Sequence, residues 1–389
     1  MGNSTIERRD VIKMFNLPKE VKFCEKCVVS NQRPRIVLNE EGICNACEYA
    51  KRLNEIDWDQ RRKELEVILE KYRSKDGKNW DCIIPVSGGK DSMYQTYMMK
   101  KVFNMNPLAV TFAQCDCTSM GMRNLQSLRE IGVDHILFTS NPITYKKIFK
   151  EAFTMLGDPC WPCHAGISTF PVQMAVKFNI PLLVWGENTL MEYGGPRQFR
   201  GVSKFDRKLQ EEFCLKSCSP HEMARDGITL ADMKPYIYPS NEEIQQVDIN
   251  GLYLGYFIKW DARSHVETAK QCGFQPRPDG PYQGAYLDYE NVDCGYIEIH
   301  DYLMFLKYGY GRATTQISID IRNGRITRYE GLRLVEQYEG ITPITGIENF
   351  CKFTGISKKE FWKNAWSFTN KMLFEPDEEG YPRFKNARS

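Results

Sequence analysis

The chain has 389 residues, 42% hydrophobic and 26% charged, which bounds it to a globular protein of two or three domains with enough apolar material for a large core. Lysine and arginine number 52 against 50 acidic residues, a net charge of +2, so the composition lacks the broad basic face that a large RNA demands. No apolar run approaches the roughly 20 residues that span a bilayer, and Met1–Ile6 carries neither a secretory signal nor a myristoylation pattern, so a cytoplasmic protein with no membrane partner is expected.

Fourteen cysteines in that compartment read as metal ligands, working thiols or packing rather than disulfides. The first four, Cys24, Cys27, Cys44 and Cys47, form two C-x2-C knuckles with 16 residues between them. Each knuckle supplies two thiolates from one tight turn, and four together suit tetrahedral zinc with no open coordination position, hence a structural site. Arg35–Gly42 between the knuckles predicts the strand and turn of a zinc ribbon, so residues 1–50 are expected to form an N-terminal arm and ribbon. From Tyr49 to Arg73 apolar residues recur at helical spacing (Leu53, Ile56, Leu65, Ile68, Leu69, Tyr72), which predicts a helical linker over 51–78, broken at Ser74–Lys78.

The apolar run Cys82–Val86 then leads directly into Ser87-Gly88-Gly89-Lys90-Asp91-Ser92 and a helix. Paired glycines let successive amides converge on one anion, and the helix start adds its positive end. Lys90 brings a mobile charge and Asp91 a carboxylate suited to magnesium. A Walker A loop is excluded, because Ile84 stands where that pattern has its first glycine. The six residues instead resemble the PP-loop of the ATP pyrophosphatase superfamily, SGG-x-DS. That resemblance implies cleavage of ATP between its α and β phosphates, with Ser87, Gly88, Gly89, Lys90, Asp91 and Ser92 on the nucleotide and Lys90 and Asp91 as the catalytic pair.

Strands are predicted next at Pro107–Phe112, His135–Thr139, Pro181–Trp185 and Tyr256–Trp260, with helices over Gly121–Ile131 and Ile167–Phe178 between them. Such alternation argues for an α/β domain over 79–262, a parallel sheet with helices on both faces. Ligands of such sheets sit at the carboxyl ends of the strands, which adds Thr111, Gly186, Glu187 and Asn188 to the expected nucleotide contacts. The same polar loop continues through Glu192-Tyr193-Gly194-Gly195.

A second cysteine pair lies in Asp158-Pro159-Cys160-Trp161-Pro162-Cys163-His164. A deaminase zinc site would need an upstream H-x-E, and the only upstream histidine, His135, is followed by Ile136 and Leu137. A thioredoxin-type pair should open the first helix of its own fold, which this one does not. A second metal or cluster on Cys160 and Cys163, with Cys294 or Cys272 as a third ligand, stays open beside a thiol or packing role. Some PP-loop tRNA thiolases hold an iron–sulfur cluster on a similar pair roughly 70 to 75 residues past their loop, and Cys160 falls 73 residues after Ser87.

From about 263 to 389 the pattern becomes mainly helical after a stretch rich in glycine, proline and aromatics. Tyrosine, asparagine, aspartate and arginine concentrated here suit a hydroxyl-rich anionic ligand, with Asp293, His300, Asp301 and Arg312 as candidate substrate contacts. The whole order (paired knuckles, SGGKDS, P-C-x-x-C-H, WGEN, HDYLMFLKYGYGRAT, IRNGRITR) resembles the N-acetyl sugar amidotransferase family, the WbpG-like enzymes of bacterial surface polysaccharide, from about Phe23 to about Phe374. The resemblance implies an adenine nucleotide alpha hydrolase-like fold. It also implies a reaction in which ATP adenylates the carbonyl oxygen of an N-acetyl group on a nucleotide-activated sugar. Ammonia then displaces AMP and leaves an acetamidino group, as in the synthesis of lipopolysaccharide O-antigen. The family draws ammonia from a separate glutaminase resembling the glutaminase and cyclase subunits of imidazole glycerol phosphate synthase, and this chain shows no glutaminase signature of its own. A tRNA thiolase with a cysteine-held iron–sulfur cluster and a non-enzymatic zinc-ribbon docking module remain the alternatives.

Overall fold

A computed structural model describes residues 9–114, 116–188, 192–194 and 215–385. After the cysteine knuckles come α1 (Asn45–Leu53) and α2 (Trp58–Tyr72). The expected single linker helix is thus two helices, because Asp57 accepts from Gln60 N (2.9 Å) and starts a new one. Then follow β1 (Cys82–Pro85), α3 (Lys90–Tyr97), β2 (Pro107–Ala113), α4 (Ser119–Ile131), β3 (Asp134–Thr139), α5 (Pro142–Leu156), α6 (Trp161–Phe178) and β4 (Leu182–Trp185). Beyond them lie β5 (Asn250–Tyr253), α7 (Ala262–Gln271), α8 (Ile297–Tyr308), α9 (Arg312–Arg322), α10 (Arg328–Tyr338), α11 (Ile344–Thr354) and α12 (Lys358–Phe368).

The five strands form one all-parallel sheet in the order β3-β2-β1-β4-β5. Alternate residues feed opposite cores. Ile83, Leu108, Val110 and Phe112 pack toward α5 and α6, while Cys82, Ile84 and Ala109 pack toward α2, α3 and α4. The C-terminal helices extend the first of these cores, with Phe350 and Phe361 against Phe153 of α5 at ring separations of 5.0 and 5.2 Å.

Two local expectations are corrected. The fifth strand is Asn250–Tyr253, pairing with β4 from Leu182↔Asn250 to Trp185↔Tyr253, and the aromatic run expected there, Tyr256–Trp260, begins inside a helical turn, Leu254–Phe257. The apolar stretch outlasts the edge it can pair with: Gly255 N donates to Gly186 O (2.9 Å), leaving the ladder for the loop after β4. The ribbon has no extended strand between its knuckles among the described residues, only isolated bridges at Phe23↔Ser30 and Leu38↔Cys44.

Candidate active site

Strand order reverses at β1, whose neighbours β2 and β4 lead to opposite edges of the sheet. Where order reverses, the loops leaving two adjacent strands part and open a crevice at their carboxyl ends. Here those loops are Ser87–Gly89 and Gly186–Asn188, and between them opens a cavity of about 560 Å³.

The glycine loop is tightly built. Val86 N donates to Val110 O (2.9 Å), Ser92 Oγ donates to Gly89 O (2.9 Å), and Ser87 Oγ accepts from Gly89 N (3.3 Å). Gly88 has φ +83°, and a Cβ there would lie 3.0 Å from Gly121 O and Leu125 N of α4, so a side chain would be both strained and crowded. Gly89 caps α3 without a side-chain bond, which leaves the leading amides of the helix to a ligand.

Lys90 is buried, its Nζ held 2.7 Å from both Asp91 Oδ2 and Glu290 Oε1 and 5.4 Å from the centre of the Tyr289 ring. Burial opposes its charge, but the two carboxylates outweigh it and hold its pKa above the ordinary lysine value. Asp91 is pushed up by burial and pulled down further by Lys90 and His265, so it stays ionised. His265 Nε2 accepts from Asp261 N (3.3 Å), which places the ring proton on Nδ1, and Nδ1 donates to Asp91 Oδ1 (2.8 Å). The imidazole is fully buried, stacked on Tyr94 at 3.9 Å and edge-on to Trp260 at 4.3 Å. Asp91 is thereby fixed in orientation from both oxygens.

Glu187 and Glu192 also line the cavity. Burial, then repulsion from Asp91, raises the Glu187 carboxyl to about 7; burial, then repulsion from Glu187, raises Glu192 to about 8. Asp293, raised by burial to about 6, lines the same space and accepts from Gln114 Nε2 (3.1 Å). Arg312 lines it too, aligned by Asp301 through Nε (3.2 Å) and Nη2 (3.3 Å).

Several sequence candidates stand behind this cavity. Thr111 Oγ1 donates to Val86 O (2.8 Å) and so braces the base of the glycine loop. Asn188 is buried outside the lining, and Asp301 acts on Arg312 while accepting from Tyr282 Oη (2.6 Å). His300 Nδ1 lies 3.1 Å from Asp158 Oδ1, which also accepts from Cys160 N (2.9 Å), and Lys216 pairs with Asp158. Cys160 is the N-cap of α6 and Cys163 sits in its first turn. Asp158, Cys160 and His300 bring one ligand atom each within 4.8 Å of one another. Cys294 adjoins them, its backbone pairing in an isolated antiparallel bridge with that of Cys117 while both thiols stay free, whereas Cys272 caps α7 beside Lys101. Residues missed in the sequence are His265, Glu290 and Gln316. Glu290 adjoins Asn291 and Asp293 in a polar run that offered some signal, while a solitary histidine in an amphipathic helix offered none.

The four N-terminal cysteines are buried, with their Sγ atoms within 4.8 Å of one another. A tetrahedron of zinc–sulfur bonds of about 2.3 Å has edges of about 3.8 Å, and Cys27 Sγ lies 3.8 Å from Cys44 Sγ. Amides of Lys26, Cys27 and Cys44 donate to Cys24 Sγ at 3.2–3.4 Å, as thiolate ligands require. The cluster could therefore hold a metal such as zinc. Arg328 Nε donates to Cys24 O and Cys27 O (3.2 Å each), and Arg322, beside the thiols of Cys27, Cys44 and Cys47, donates from Nη1 to Glu192 O (2.8 Å), so the module leans on the helices and, through Arg322, on the loop that wall the cavity.

Fold and site together define an α/β protein whose switch-point crevice is closed on its far side by a helical C-terminal region. Residues 283–388 of that region match the family described as LPS biosynthesis protein WbpG-like, C-terminal domain, which makes a role in polysaccharide biosynthesis the reading this region supports. The chain is also similar to an uncharacterized protein of Methanocaldococcus jannaschii, 29% identical over 189 residues. That match covers 48% of this chain and 66% of the relative, a little under two thirds of the relative's length. No helix among the described residues is long and apolar enough to cross a membrane.

Proposed function

We propose that the chain is an ATP-dependent amidotransferase of polysaccharide biosynthesis, converting an N-acetyl group on a nucleotide-activated sugar to an acetamidino group. The observation that carries this reading is the Ser87–Ser92 loop. Its left-handed glycine, uncapped helix start and buried Lys90 form a PP-loop-like nest for phosphate, facing a wall drawn from the WbpG-like domain.

An amide oxygen is a poor leaving group, so the carbonyl oxygen of the N-acetyl group must be activated first. The loop amides and Lys90 would stabilise pyrophosphate as the oxygen attacks the α phosphorus, at the point where charge develops. Asp91, aligned by His265, is the residue that would hold magnesium, whose charge offsets that of the phosphates. Ammonia then adds to the adenylated carbon and AMP departs. The proton lost from nitrogen needs an acceptor, and Glu187 and Glu192, at about 7 and about 8, titrate in the range a base at neutral pH requires.

Ammonia would come from a separate glutaminase of the kind described for the family. The thiolase alternative would need Cys160 and Cys163 together on one cluster, whereas among the described residues the ligand atoms that converge with Cys160 are those of Asp158 and His300. Incubation of the full chain with ATP, magnesium, an ammonium salt and UDP-linked N-acetyl sugars should release AMP and pyrophosphate and give a sugar carrying NH in place of oxygen. ADP as the nucleotide product overturns the reading.

A further inference from the structure

The cavity wall drawn from Tyr289 to Gln316 holds hydrogen-bond donors that nothing among the described residues satisfies. Gln316 lies on α9, is 4% exposed and lines the cavity. Its Oε1 accepts from Tyr286 N (2.7 Å) and Leu287 N (3.2 Å), which fixes both the rotamer and the sense of the amide. The Nε2 group, with two hydrogens to donate, is buried without a partner. Tyr289, 7% exposed, leaves its Oη in the same condition, and so does Asn291 at Nδ2. All three residues line the one cavity.

A buried donor without an acceptor is costly, so three such groups around one space call for a ligand rich in acceptor oxygens. The charges beside them are of both signs, with Arg312 one turn before Gln316 on α9. Glu290 separates Tyr289 from Asn291 in the chain, Asp293 follows two residues later, and both carboxylates line the same wall. Glu290 is already paired with Lys90, so what this wall offers a ligand is chiefly donors for hydroxyl and carbonyl oxygens. Gln316, Tyr289 and Asn291 all lie in the stretch that matches the WbpG-like domain, whereas the phosphate-binding features, Ser87–Lys90, belong to the α/β domain and meet this wall where Lys90 pairs with Glu290.

We propose that Gln316, Tyr289 and Asn291 form the subsite for a hydroxyl-bearing sugar ring, and that Gln316 Nε2 is its principal donor. This assignment rests on the sugar amidotransferase reading and names the residues that would give it substrate specificity.

The test uses Gln316→Glu in the full-length protein. A glutamate keeps one oxygen for Tyr286 N and Leu287 N, so the wall stays pinned, but it replaces the donor by an acceptor. Affinities for ATP, UDP, UDP-N-acetylglucosamine and UDP-N-acetylgalactosamine are measured by calorimetry without turnover. Wild type should bind one of the UDP-sugars at least tenfold more tightly than UDP, and Gln316→Glu should erase that difference while leaving ATP affinity within twofold. If Gln316→Glu does not fold, Tyr289→Phe, which removes one hydroxyl and no packing atom, carries the same comparison. A variant that keeps the full preference, or a wild type that binds UDP and both UDP-sugars alike, overturns the subsite. Failure of the amidotransferase reading shows separately, as ADP rather than AMP in the turnover assay.

Discussion

Gly88 and Gly132 share a φ of +83°, but Gly88 backs onto α4 while nothing lies within 4 Å of a Cβ at Gly132. Alanine at either position must adopt the left-handed conformation, at about 1–2 kcal/mol. At Gly88 the new methyl also meets Gly121 O, Leu125 N and Leu125 Cγ at 3.0 Å, closer than ordinary contact, two of them backbone atoms that cannot rotate away. Overpacking of that kind adds about 1–3 kcal/mol, which brings Gly88→Ala to about 2–5 kcal/mol against about 1–2 for Gly132→Ala. Urea denaturation of both variants, with unchanged slopes, measures the difference. Relief of the clash moves the loop away from α4 and spoils the convergence of its amides, so only Gly88→Ala should lose ATP affinity. Equal destabilisation of the two variants, or full ATP binding by Gly88→Ala, refutes the claim that the loop is a nest fixed by its contact with α4.

Replacing His265 by Ala removes the hydrogen bond that fixes Asp91 and should reduce AMP formation by roughly 10- to 100-fold, with a raised magnesium requirement; Asn at 265 should recover part of it, and an unaltered magnesium dependence speaks against the positioning role. Glu187, held by burial at about 7 rather than 4.5, binds its proton more tightly folded than unfolded, so the wild type loses stability as pH rises from about 4.5 through about 7. Glu187→Gln should remove on the order of 1–3 kcal/mol of that loss, read as a smaller gap between urea midpoints at about pH 5 and pH 8, and should slow turnover at neutral pH. The purified chain should carry one zinc on Cys24, Cys27, Cys44 and Cys47; Cys24→Ser or strong chelation should release it, lower thermal stability and weaken substrate binding through Arg322 and the Glu192 loop. A metal-free chain of unchanged stability contradicts that assignment.

The glycine loop was legible because its information is local: strand, turn and helix lie within Cys82–Tyr97, and every residue type answers to its own backbone. The cysteine quartet was legible for a similar reason, since two knuckles announce themselves by spacing. Strands β1 to β4 followed from apolar runs bounded by turn residues, but β5 did not, because Leu252–Ile258 is apolar throughout and only Gly186 decides where the ladder ends. The partners of the loop were less visible. Asp91 meets His265 and Lys90 meets Glu290 across sequence separations that no periodicity encodes. Asp301 and His300 were flagged for polarity in a helix, yet that helix turns them toward Arg312 and Asp158 rather than into the cavity. Gln316 looked like one polar residue among several, and only its pinned Oε1 shows that the other end of the amide is held for a ligand.

The central claim is that the loop opening α3 directs attack to the α phosphorus of ATP. Supplying ATP with oxygen-18 in the carbonyl of the sugar's N-acetyl group, and following the label, tests it most directly. The account predicts that the heavy oxygen appears in AMP, with unlabelled pyrophosphate and an acetamidino sugar. Label retained in the sugar, or carried into inorganic phosphate with ADP, contradicts it.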